Sequence, residues 1–219
     1  MTFFNTLQEH TKTKQQELLE VPQIIAALNG NITKETYIEY LIQAYHHVKH
    51  TIPLLMLSGS KIPFEKEFIR TALAEYIKEE LGHQEWILQD IQNCGVDTSN
   101  IRYAKGNKAT EDMITFIYNY INKINPIGFL GMVFVLETTS TQLATTAANK
   151  IKSSLNLPQE CFHYLTSHGS LDVQHIHFFT SLVNQINDPK DQEDIIEVAE
   201  NIFILFANIF RSIKLRTII

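Results

Sequence analysis

Imidazoles and carboxylates recur in this chain at spacings that put them on one face of a helix. His168, Asp172 and His175 stand at i, i+4 and i+7. They share the stripe that also carries Cys161, Leu165, Phe179 and Leu182, so three ionisable groups are predicted to turn toward an apolar core. Glu80 and His83 repeat the anomaly at i, i+3, within the stripe Ile69, Leu73, Tyr76, Ile87 and Ile91. Glu137 is the single charge on the stripe Leu130, Val133, Phe134, Thr141, Ala144 and Ala148, and His47 lies on the shoulder of Tyr37, Leu41, Ala44, Val48 and Leu55. A buried charge without a partner costs several kcal/mol, roughly, or neutralises itself, so each of these groups needs company.

One inward His or Glu has an ordinary explanation, a backbone carbonyl or an arginine. Together they do not: two Glu, one Asp and three His face inward, and only 18 Lys and Arg exist to pair them. A metal ion is the partner that serves all of them. Carboxylate-x-x-His is the spacing that carboxylate-bridged metal proteins build into helical cores. Nitrogen and oxygen ligands without thiolate suit iron, manganese or zinc. Six ligands exceed the needs of one tetrahedral zinc and fit two hard metals. Such a pair is suited to binding and reducing dioxygen. His46 and His50 are expected to be solvated or to stand behind the ligands, and His10, His163 and His177 to lie on the surface.

The elements that must hold these groups are helices. Glycine (8) and proline (6) are scarce, and no alternating strand pattern appears. Apolar spacing and breakers predict about seven helices: Phe3 to Leu28, Lys34 to Ser58, after Pro63 to Asn93, Thr110 to Ile124, Pro126 to Lys152, Pro158 to Asn187 and Pro189 to Ile213. Asn125-Pro126 and Asp188-Pro189 each read as a cap followed by proline at the first helical position. Residues 97–108 form the longest loop. The prediction is one all-α helical bundle over residues 1–219.

Composition narrows the function classes. A net charge of −6 without a basic run gives no footprint for nucleic acid. Arg211, Lys214 and Arg216 are expected to complement the dipole of the last helix. Cys94 and Cys161 fit no metal or redox spacing, which suggests a reducing compartment, and the N-terminus lacks a signal-peptide pattern. No apolar stretch is expected to reach the ~20 residues that span a bilayer. A cytoplasmic protein with neither nucleic-acid nor membrane partner is the expectation.

Against this background the chain resembles the heme-oxygenase-like superfamily. Leu7-Gln-Glu-His-Thr11 and Ile32-Thr-Lys-Glu-Thr-Tyr37-Ile-Glu-Tyr-Leu41-Ile-Gln-Ala-Tyr45-His-His resemble its first two helices. Val133-Phe-Val-Leu-Glu137-Thr-Thr-Ser-Thr141 resembles its central one. In the heme oxygenases the first helix carries a proximal His, and here that position holds Gln15, between Lys14 and Gln16. The thiaminase II branch uses a cysteine near the central helix, and none occurs between Cys94 and Cys161. The closest resemblance is to the dimetal (diiron) oxidases and oxygenases of this fold, whose pattern is Glu-x-x-His, a central Glu, then His-x-x-x-Asp-x-x-His. Glu80/His83, Glu137 and His168/Asp172/His175 follow that order. The family's further carboxylate is replaced by His47 or Tyr76.

That resemblance implies two iron ions, or iron with manganese, an O2-dependent oxidoreductase and a small organic substrate. Glu80, His83, His175 and His47 would hold one metal and His168 and Asp172 the other, with Glu137 near or between them. Tyr76 is either a plain core residue or an oxidisable side chain. Phe129, Met132, Phe134, Thr138 and Tyr40 either line the substrate pocket or pack as core. Two other readings keep the fold: a metal-free enzyme using inward His and Glu as acid and base, and a small-ligand-binding protein with a hydrogen-bonded polar core. A homodimer is compatible with this fold.

Overall fold

The computed structural model describes the backbone of residues 1–218 and their side chains except those of residues 168–174. Ten α-helices are found: α1 Phe3–Leu19, α2 Pro22–Leu28, α3 Lys34–Val48, α4 Thr51–Lys61, α5 Glu67–Glu80, α6 His83–Asn93, α7 Lys108–Lys123, α8 Phe129–Leu155, α9 His163–Val183 and α10 Pro189–Ser212. Short 3-10 turns precede α5, α8 and α9, and no strand occurs among the described residues. The all-α expectation holds, with more and shorter helices than the seven predicted.

The first three predicted helices are each broken in two, for stated backbone reasons. Pro22 lacks the N–H that an unbroken helix would donate to Leu18, so α1 stops at Leu19 and Pro22 opens α2 instead. Pro53 likewise cannot bond back to Lys49, and the chain turns at Lys49 and His50 before α4. Gly82 takes φ 94°, a left-handed conformation that ends α5 and restarts the chain as α6. Glu80 is therefore the last residue of α5 and His83 the first of α6, not two positions on one helix.

The two predicted caps, at Asn125 and Asp188, are present, and Thr33 and Asn107 add two that were not predicted. Thr33 and Asn107 accept from the amides of Thr36 and Thr110 to start α3 and α7. Asn125 caps the turn before α8, and Asp188 caps α10 ahead of Pro189. Of the three C-terminal cations only Arg211 lies in the last turn of a helix. Lys214 and Arg216 continue past α10 as an extended tail along α3, where Arg216 pairs with Glu39 at 2.8 Å. Cys94 and Cys161, far apart in sequence, are both buried free thiols in one cluster, and burial followed by the neighbouring Cys161 pushes Cys94 up to about 12.

α8 is the axis of the fold. It packs against α9, α10 and α2. At Gly131 the α10 backbone comes so close that a Cβ would meet the Ala199 nitrogen at 2.7 Å. Leu130, Met132, Phe134 and Val135 on its first half join a core with α1, α4, α5, α7 and α10. Ala144, Ala148 and Ile151 on its second half join a separate core with α3 and α6. Being enclosed along most of its length, α8 is apolar nearly all round. Contrary to expectation, then, Pro126–Leu155 is long and apolar enough to cross a membrane, although 61% of its apolar window is buried in the fold.

Candidate functional site

Glu137 sits where the two cores meet. It is 8% exposed and borders a cavity of about 180 Å³. α3 brings His47 to the same cavity, 5% exposed and edge-on to Phe206, and α5 brings Tyr76 and Glu80. His83 at the start of α6 is 3% exposed, stacked on Trp86, with Nδ1 2.9 Å from Glu80 Oε2. Because a carboxylate only accepts, this contact puts a proton on His83 Nδ1.

From α9, His175 reaches the same place. Its Nε2 lies 3.0 Å from Glu79 Oε2 and its Nδ1 4.0 Å from Glu137 Oε1, with the ring edge-on to Tyr76. Glu79 is a site residue that the sequence reading missed. It is half exposed, off the apolar stripe, so periodicity gave no reason to choose it. Tyr76 is 2% exposed and its hydroxyl makes no hydrogen bond among the described residues. Burial, and next the Glu137 carboxylate, raise its pKa far above the usual phenol range.

The structure thus gathers His47, Tyr76, Glu80, His83, Glu137 and His175 around one region. The side chains of His168 and Asp172 lie outside the described residues. Among the described residues no three carboxylate or imidazole groups converge as a metal cluster. Glu80 and His83 are turned to each other and His175 to Glu79. By residue type, though not by convergence, the donor set suits a hard cation. It is nitrogen and oxygen only, it is buried, and no Lys or Arg is among the described residues lining the cavity.

The remaining alternatives are decided by the packing. Phe129, Met132 and Tyr40 line the cavity, but Phe134 and Thr138 do not. Phe134 packs among Phe4, Phe179 and Phe203, and the Thr138 hydroxyl donates to the Phe134 carbonyl. His46 is not solvated: it is 1% exposed, with Nδ1 3.1 Å from Lys49 Nζ, and burial and Lys49 lower it to about 4. His50 is half-buried against the Tyr118 hydroxyl. His10, His163 and His177 are exposed, as expected.

Known proteins echo this architecture. The family model described as iron-containing redox enzyme matches residues 38–205. No protein of curated function matches the chain by sequence. Among solved structures, a domain of unknown function with a heme oxygenase-like fold from Shewanella denitrificans is 24% identical, with TM-score 0.85 over 96% of this chain and 91% of that one. A TenA homologue from Pseudomonas syringae is 9% identical (TM-score 0.81; 95% and 91% covered), and heme oxygenase-1 from Synechocystis, in complex with heme, is 14% identical (TM-score 0.76; 98% and 93% covered). At these identities the likeness is one of fold.

Proposed function

We propose that this chain, which belongs to the iron-containing redox enzyme family, is a non-heme, O2-dependent oxidase or oxygenase with two metal ions, iron or iron with manganese, acting on a small organic substrate. The observation that supports this reading most is that His47, Glu80 and Glu137 border one cavity whose described lining carries no Lys or Arg, with His83 2.9 Å from Glu80 and His175 4.0 Å from Glu137. His168 and Asp172 complete the proposed ligand set from the sequence pattern. The bound metals would supply the electrons and open coordination positions that dioxygen reduction needs.

The chain's own groups do the positioning. Glu80 holds the His83 ring with its proton on Nδ1, and Glu79 holds His175 from the outer side with the proton on Nε2. Leu54, Leu55, Met132 and Leu136 keep bulk water from the reacting region. Tyr76, held neutral by burial and by Glu137, can donate one hydrogen bond into the cavity. A cytoplasmic location, with dioxygen and a small molecule as the only partners, accords with the reading, and a homodimer remains compatible with it.

Anaerobic addition of ferrous iron, metal analysis and then exposure to oxygen test this function. About two metal ions per chain and a protein-dependent absorbance on oxygenation are expected. His83→Ala and His168→Ala should each lower metal content. Unchanged metal content in both variants, with no absorbance, would overturn the proposal.

A further inference from the structure

The wall of the cavity beside Glu137 is helical almost everywhere. Among its described lining residues only Ile32 and Ile213 lie outside a helix. Both are nearly inaccessible, at 3% and 5% exposed. They stand at the same end, because the Thr33 amide donates to the Arg216 carbonyl at 2.8 Å. Gly30, two residues before Ile32, lies so close to α8 that a Cβ would meet the Lys150 carbonyl oxygen at 2.9 Å. That contact sets this end about 20 Å of helix beyond Glu137, at 1.5 Å per residue.

Residues 213–216 cross this end as a strap. On the α3 side the Arg216 amide donates to Thr36 Oγ1 at 3.0 Å, and Thr36 Oγ1 donates to the Lys214 carbonyl at 3.1 Å. Glu39 accepts from the Lys214 amide at 3.2 Å and from Arg216 Nη1 at 2.8 Å. On the α2 side Gln23 donates to the carbonyls of Arg211 and Ile213 at 3.3 and 3.0 Å. The apolar hold is Ile213 and the half-buried Leu215, which packs against the second core. None of these hydrogen bonds is fully buried, so water replaces each at little net cost. Moving a helical part of the wall would instead strip a whole packed face from the core.

We infer that the strap is the door of this cavity. Residues 213–216 lift off α2 and α3, draw Ile213 out of the wall and admit a small molecule at the end remote from Glu137, while the helices stay in place. The route is set by the cavity wall alone, so it holds whether or not the proposed oxidase chemistry takes place inside.

A thiol placed inside the cavity tests this. Ala144 lines the cavity at 5% exposed, and in full-length Ala144→Cys protein the small neutral reagent methyl methanethiosulfonate should label position 144. Adding Glu39→Ala should speed that labelling at least about threefold, the scale of one exposed ion pair, and adding Ile213→Ala should speed it about tenfold or more, because a buried plug is removed. Glu39 lies outside the lining, so its effect reports release of the strap and not a wider wall. Cys94 and Cys161, buried in the second core and absent from the lining, should keep their labelling rates, read peptide by peptide by mass spectrometry. In the unsubstituted protein the amides of Thr33, Lys214 and Arg216 should exchange hydrogen at least about tenfold faster than those of Phe206 and Phe210 in α10. Labelling at position 144 that is unchanged in both variants, labelling that rises only together with the native cysteines, or strap amides as slow as those of α10 would each overturn the inference.

Discussion

At the start of α10, buried carboxylates meet donors on several sides, whereas around Glu137 hydroxyls are buried with none among the described residues. Asp194 is 1% exposed and accepts from the Tyr120 hydroxyl, Asn125 and Lys190 at 2.8–2.9 Å. Asp191 accepts from Asn125 and Lys66. Tyr76, Thr139 and Ser140 bury oxygens that make no hydrogen bond among the described residues. The first network fastens α10 to the α7–α8 junction. The second leaves hydrogen-bonding capacity unspent inside the fold. A satisfied buried network stabilises, and an unsatisfied one costs stability until a ligand or a buried water meets it, so the second region is the one with capacity to bind.

The sharpest way to break that contrast is to remove one group from each region. Asp194→Ala should lose about 3 kcal/mol of stability, read by urea unfolding, because it strands Asn125 and Tyr120, and its iron content should match wild type. Glu137→Gln should do the reverse. Oxygen consumption by the iron-loaded protein should fall at least about tenfold, the scale expected for removing an ion-ligating group or its support, while the urea midpoint moves little. Tyr76→Phe and Thr139→Val remove oxygens that already lack hydrogen bonds, so they should change stability by under about 1 kcal/mol or raise it. A large loss in either would show that those hydroxyls serve the fold.

Acid titration draws the line a second way. Burial pushes the Asp194 carboxyl up, but the bonds from Lys190, Asn125 and Tyr120 outweigh it and hold the pKa low. Its contribution is present above the ordinary carboxylate pKa of about 3.9 and is lost as pH falls through the folded value. Asp90 behaves oppositely. It is fully buried beneath the amides of His163 and Tyr164, and burial wins, raising it to about 6. Its contribution is complete below about pH 3.9 and is lost as pH rises through 6. Unfolding midpoints between pH 4 and 6.5 should fall with pH in wild type and flatten in Asp90→Asn. The smallest effect is expected at the exposed pair of Arg102 and Glu85, where Arg102→Ala should cost under about 1 kcal/mol.

Much of this was legible in the residues. Cap and proline signals at Asn125 and Asp188 mark true starts, and apolar periodicity picked His47, His83, Glu137 and His175, all nearly inaccessible in the fold. The stripe from Ile69 to Ile91 stays buried although the helix under it breaks at Gly82, because the second helix resumes with its apolar face toward the same core. Pro22, Pro53 and Gly82 were visible breakers that the longer periodic pattern masked. Glu79 could not be found by periodicity, since its place at the site depends on where α9 crosses the end of α5. For a similar reason, periodicity could not decide between pocket and core for Phe134. It shares the apolar character of the lining residues but turns toward Phe4, Phe179 and Phe203, a choice made by the packing of α1, α9 and α10.

The long α8 also works as a ruler. Glu137 is a fixed mark on a rigid scale, and Ser140, Leu143 and Ala147 stand about 4.5, 9 and 15 Å further along it. A larger residue at Ala144 or Ala147 would shorten the reach of the cavity from Glu137, with the mark untouched. The first half of the same helix, buried in the other core, would hold the scale still.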